Sequence, residues 1–174
     1  MNKKTTWKET ESLIFCYQYT NGVLSQTDGD IAIGKAYNTD PETGMLTASQ
    51  IERAYMQIYA PYFEDTIRIK SAILTVSVLS NGEKLGVYET DGSMLKNPEN
   101  LSALVDYDTG TYDEQTGIKK YNFDITNLYW KQSRESESAY LAIKLVEEGI
   151  GADESATIFR DDFYGARFVT ITYE

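Results

Sequence analysis

Between residues 69 and 79 the side chains take turns about the chain axis: Ala72, Leu74, Val76 and Val78 fall on one side, and Ser71, Ile73, Thr75 and Ser77 on the other. A period of two is that of a pleated strand, whereas a helix would repeat its apolar positions every three to four residues. The pattern returns in residues 139–146 with Leu141, Ile143 and Leu145, and at the C-terminus with Val169, Ile171 and Tyr173 around Thr170 and Thr172. Weaker alternation marks strands at residues 30–36, 52–59, 84–88, 105–112, 119–123 and 156–160. A one-residue slip would turn a whole apolar set outward, so Ala72, Leu74, Val76, Val78, Leu141, Ile143, Val169 and Ile171 are the expected core.

Turn chemistry separates these runs. Asn21-Gly22, Asn81-Gly82 and Asp91-Gly92 are dipeptides of tight turns, and Asp40-Pro41-Glu42-Thr43-Gly44 and Asp113-Glu114-Gln115-Thr116-Gly117 share an Asp start and a Gly close. Both longer loops suit hairpin tips, a type I turn ending in a left-handed residue. Many short strands so joined predict an all-β fold: an antiparallel β-sandwich, jelly-roll-like, with one or two short helical turns. Helical turns are expected at residues 124–131, capped by Asp124 or Thr126, and at 99–104. Trp130 is expected in the core, because the turn it follows must bury something against the sheets.

The 174 residues fit one domain with a real core. Sixteen Lys and Arg against 27 Asp and Glu leave a net charge of -11, a field that repels phosphate backbones and anionic lipid, so neither nucleic acid nor membrane insertion is expected. Cys16 is the single cysteine and lies in the apolar run Leu13 to Tyr17, where a buried, inert thiol is the expectation. Met1-Asn2-Lys3-Lys4 is followed by polar residues with Glu9 and Glu11, which does not read as a signal peptide. No apolar run approaches the ~20 residues that span a bilayer.

The chain has no histidine, which excludes Ser-His and Cys-His nucleophilic catalysis and His-based metal sites. Carboxylate chemistry remains. Asp161-Asp162 has the residue type of a glycosidase pair but reads as a solvated loop. Asp106, Asp108 and Asp113, spaced around Gly110, are the candidate calcium ligands, since alternate carboxylates can converge on a hard cation; the sixth-position Gly and twelfth-position Glu of an EF-hand loop are missing. Asp28-Gly29-Asp30 is a weaker set of the same kind. The 14 tyrosines are the other lead: a phenol stacks on a sugar ring and hydrogen-bonds through its hydroxyl. Tyr107, Tyr112 and Tyr164 are the candidate carbohydrate-binding residues, whereas most tyrosines suit half-buried strand positions.

Several segments occur in a familiar order. Asp30-Ile31-Ala32-Ile33-Gly34 comes first, then Arg53-Ala54-Tyr55-Met56-Gln57-Ile58, Ile69-Lys70-Ser71-Ala72-Ile73-Leu74 and Leu85-Gly86-Val87-Tyr88. Tyr121-Asn122-Phe123-Asp124-Ile125-Thr126-Asn127-Leu128 follows, with Trp130 behind it, and Phe168-Val169-Thr170-Ile171-Thr172-Tyr173 closes the chain. Together they resemble the DNRLRE-type domain of bacterial cell-surface and Rhs (YD-repeat) proteins, a group related to an alginate-binding carbohydrate-binding module. The family's Trp-rich central segment is absent between Tyr88 and Tyr121, and Arg167 stands where a Pro commonly precedes the last strand. The likeness divides the chain into an N-terminal extension, residues 1–29 with an extra β-hairpin, and a sandwich domain, residues 30–174.

The resemblance implies a non-catalytic carbohydrate-binding or adhesion module of a secreted or surface-displayed bacterial protein, extracellular and part of a larger multidomain chain, with a glycan or a cell-surface protein as partner. The alternative is a structural spacer or protein–protein assembly domain with no small ligand. Enzymatic activity is not expected, and calcium is the candidate cofactor.

Overall fold

The computed structural model describes residues 8–59, 68–80, 84–90, 101, 103–136, 138–148, 154–160 and 167–174. Its strands are β1 (Lys8–Ser12), β2 (Ile14–Thr20), β3 (Val23–Gln26), β4 (Ile31–Thr39), β5 (Leu46–Tyr59), β6 (Ile69–Ser80), β7 (Leu85–Glu89), β8 (Leu104–Asp108), β9 (Thr111–Asp113), β10 (Ile118–Asp124), β11 (Ser138–Leu145), β12 (Glu154–Ile158) and β13 (Arg167–Tyr173). One helix among the described residues, α1 (Thr126–Ser136), joins β10 to β11. Every strand pair is antiparallel, and the molecule is an all-β sandwich whose sheet does not close on itself.

Two long strands organise it. β6 carries β13 and then β12 along one edge and β10 along the other. β5 carries β4 through residues 46–52, β2 through 52–58 and β11 through 54–59. The halves are joined by β4, whose later residues pair with β5 while residues 31–35 pair with β12, itself a partner of β6. Where β4 leaves β5 its backbone needs a new partner. Gln18 supplies one: its Oε1 accepts the Ala32 N–H at 2.7 Å and its Nε2 donates to the Ala32 carbonyl at 3.0 Å.

All eight expected core residues are fully buried, and Cys16 is buried as well. β6 differs from a half-buried strand in that Thr75 and Ser77 on its other face are buried too, as befits a strand paired on both edges; the Thr75 hydroxyl donates to Asn122 Oδ1 at 2.8 Å. Both longer loops are hairpin tips with the same bonds. Asp40 Oδ1 accepts the Glu42 N–H at 2.8 Å, and Asp113 Oδ1 the Gln115 N–H at 2.9 Å. Gly44 and Gly117, at φ 70° and 73°, each donate back to the carbonyl of the opening Asp. Asn21-Gly22 turns β2 into β3 with both residues at positive φ, as a type I′ turn requires. Asn81-Gly82 and Asp91-Gly92 lie outside the described residues.

The segment read as an extension supplies, from residue 8 onward, β1 against β13 and the β2–β3 hairpin against β5. Three expectations are corrected. Residues 105–112 are two strands, because Gly110 at φ 80° breaks the run. Of the turn expected at 99–104, residues 99, 100 and 102 lie outside the described residues, and Leu104 instead opens β8 opposite Tyr88. Trp130 is half exposed, at 50%. The stripe that α1 buries is Ile125, Leu128, Tyr129 and Gln132, spaced three and four apart as one helix face demands, and Trp130 falls off it. Of the two expected caps Asp124 serves at the helix entry, its Oδ1 accepting the Thr126 N–H at 3.0 Å, whereas Thr126 Oγ1 accepts the N–H of Ala72 in β6 at 3.0 Å and so ties the helix start to that strand.

Candidate functional site

The acidic strand β8 lies at the open side of the sandwich. Asp106 and Asp108, two residues apart, point the same way, and their carboxylates accept the N–H groups of Asp124 at 2.8 Å and Asn122 at 2.9 Å. The register is that of an antiparallel pair made by side chains instead of backbone, so β8 of one half is clasped to β10 of the other. The spacing that suggested cation ligands therefore serves here as a ladder of acceptors for an otherwise unpaired strand edge. Asp113 stands apart from this ladder, at the β9–β10 tip. Among the described residues no three His, Cys, Asp or Glu side chains gather as a cation site would need.

Between the two ladder carboxylates, Tyr107 turns the other way and stands opposite Gly86 of β7. Its ring is 53% exposed, with the Lys84 ammonium 4.6 Å from its centroid. Tyr112, 58% exposed, belongs to the β9–β10 ribbon and pairs with Lys119. The structure thus puts two of the three candidate phenols in solvent on consecutive strands, without bringing them into contact. Tyr164 and the Asp161-Asp162 pair lie outside the described residues. Asp30 of the Asp28-Gly29-Asp30 set uses Oδ1 to accept the Arg160 N–H at 2.7 Å.

A hollow of about 120 Å³ opens beside the same ribbon, lined by Ser77, Asp113, Thr116, Ile118 and Lys120. Cross-strand pairing builds it: Ser77 is opposite Lys120 and Ile118 opposite Asp113, and directly opposed residues share a sheet face. Ser77 is fully buried and its hydroxyl has no hydrogen-bond partner, a state that costs about 1–3 kcal/mol when nothing fills it. Alternation had placed Ser77 on the polar face of β6, but the hollow it lines needs three strands in register and was not legible there.

A second group, unmarked in the sequence reading, lies on the outer face of the β5–β11 pair. Arg53 donates to Glu148 Oε1 at 2.9 Å and Lys144 sits 3.5 Å from the same oxygen, the three side chains being only 7%, 10% and 12% exposed. Glu148 Oε2 is buried with no hydrogen-bond partner. Lys144 Nζ stands 4.6 Å from the Tyr88 ring centroid, and Tyr55 packs edge-on against Tyr19 at 5.9 Å. Burial pushes the Tyr55 hydroxyl up to about 12, against the opposing pull of Arg53. Burial also lowers the Lys144 ammonium, with Glu148 resisting. The i,i+4 spacing of Lys144 and Glu148 is the only local trace of this group, since Arg53 arrives from a distant strand.

No family model and no curated protein matches the chain. Among solved structures it is similar to the epithelial adhesin 6 A domain from Candida glabrata, in complex with Galb1-3GlcNAc, at 10% identity over 99% of this chain and 82% of that one; the TM-score of 0.21 is too low to indicate a common fold. No helix among the described residues is long and apolar enough to cross a membrane.

Proposed function

We propose that this domain is a non-catalytic carbohydrate-binding or adhesion module, displayed at a cell surface, that takes glycans at the β8–β9 rim. The observation that carries the reading is the exposure of Tyr107 and Tyr112 on consecutive strands beside carboxylates held in place by backbone N–H groups. A large phenol in solvent gains little from the fold and offers a flat apolar face with a polar tip. The resemblance to DNRLRE-type domains points the same way. A net charge of -11 favours neutral glycans over anionic ones.

A glycan array followed by titration calorimetry tests this. Tyr107→Ala or Tyr112→Ala should each weaken binding about fivefold, an aromatic contact being worth on the order of 1 kcal/mol, while Tyr→Phe should cost less because the ring survives. If no glycan binds at millimolar concentration, the spacer or assembly reading replaces this one.

A further inference from the structure

We propose that the hollow lined by Ser77, Asp113, Thr116, Ile118 and Lys120 is a subsite for one neutral, hydroxyl-rich ring, a single hexopyranose edge, on the β9–β10 ribbon that also carries Tyr112; the proposal rests on the glycan-binding reading above. Five observations select that chemistry. The hollow, at about 120 Å³, falls well short of the ~300 Å³ at which pockets for drug-sized ligands begin. Residues of opposite charge, Asp113 and Lys120, belong to its wall. An anion would meet the first and a cation the second, so a neutral group that both donates and accepts is favoured.

Ser77 is one of the residues lining the hollow, and its hydroxyl is fully buried and without a partner. A buried polar atom in that state is rare in native proteins and calls for a ligand or an ordered water. Ile118 supplies an apolar wall for the C–H face that a pyranose presents alongside its hydroxyls. Asp113 is held for the task, since one carboxylate oxygen is tied to the Gln115 N–H and the other is left to accept. The hairpin tip thus serves to fix a ligand-facing carboxylate at the mouth.

The test is an amide-resolved NMR titration of the whole 174-residue chain with the methyl glycosides of glucose, galactose and mannose at millimolar concentration, run on the unmodified protein, Ser77→Ala and Lys120→Met. The expected result is saturable shifts at Ser77, Asp113, Thr116, Ile118 and Lys120 with at least one glycoside. Ser77→Ala and Lys120→Met should each weaken that binding about three- to tenfold, the span of one lost hydrogen bond. Ser77→Ala should not lower the melting temperature, because it removes an unsatisfied hydroxyl. Shifts confined to the Tyr107 and Tyr112 region would overturn the subsite and leave the glycan reading standing. Binding unchanged in Ser77→Ala would assign the hydroxyl to a structural water and overturn the subsite, as would the absence of shifts with all three glycosides. The glycan reading has its own arm in the oligosaccharide array, so its failure is seen separately.

Discussion

A Cβ placed on Gly110 would lie 2.7 Å from the Tyr121 ring, and the residue sits at φ 80°. Both facts oppose any side chain there: the left-handed backbone costs an L-residue about 1–2 kcal/mol, and Tyr121 is fully buried and cannot yield. Gly110→Ala should therefore destabilise the domain by about 2–4 kcal/mol, read as a lower urea midpoint; a loss under half a kcal/mol would mean that the β8–β9 link is not held by this contact. The same residue explains why residues 105–112 read as one strand, for alternation continues across Gly110 and carries no mark of the chain leaving one pairing for another. Glu148 poses the complementary case. Removing it leaves Arg53 and Lys144 nearly buried without their shared carboxylate, so Glu148→Ala should cost about 3–5 kcal/mol. Replacing Arg53, Lys144 and Glu148 together by apolar residues should recover much of that loss, since a buried ionic group contributes little beyond its own desolvation. Equal losses for the single and triple variants would show that packing, and not charge, holds the group.

Strand β6 is the element on which the fold turns, because four of its inward residues are fully buried and both its edges are paired. Leu74→Ala should cost about 2–5 kcal/mol, the range for emptying a packed site. Leu79, on the opposite face of the same strand and 59% exposed, should cost under about 0.5 kcal/mol when cut to alanine. Comparable losses at the two positions, measured by calorimetry, would refute the register. Elements with a short-range signature were legible in the sequence: β6, β11 and β13 by alternation, and the two Asp-to-Gly tips by turn chemistry. The helix was legible in place but not in orientation, because a bulky Trp130 outweighed the 125, 128, 129, 132 spacing that in fact chooses the buried face. The candidate site was legible only in residue type. Tyr107, Tyr112 and Asp113 were visible as residues suited to sugars or ions, whereas the clasp of Asp106 and Asp108 on β10 joins strands more than a dozen residues apart, which no local pattern encodes.

For the molecule as a whole, fold class follows from periodicity, while the route between the halves does not. β4 meets β12 across more than a hundred residues of sequence, and nothing in either segment names the other. What the completed sandwich imposes is a set of phenols shut away from water, and their titration reports on the whole fold. Burial pushes the Tyr55 hydroxyl up to about 12 and is the first cause raising Tyr88 and Tyr129 as well, from an ordinary value near 10. A group whose folded pKa is raised stabilises the fold fully below its unfolded pKa and loses that contribution as pH climbs through the folded value. Lys144, lowered by burial, works in the opposite sense, but its gain is complete by the ordinary lysine value near 10.4, before most of the tyrosine loss is spent. New phenolate charge also adds to a chain already at -11, whose self-repulsion opposes the compact state. The melting temperature should thus fall steeply as pH rises from about 10 to about 12, with the loss governed by the buried tyrosines. Tyr55→Phe removes the most strongly raised of them, so its melting temperature should fall less over that interval, whatever its offset at neutral pH. If the variant and the unmodified protein lose stability in parallel between those limits, the ring of Tyr55 is not sealed by the fold, and the outer face of the β5–β11 pair is open to solvent.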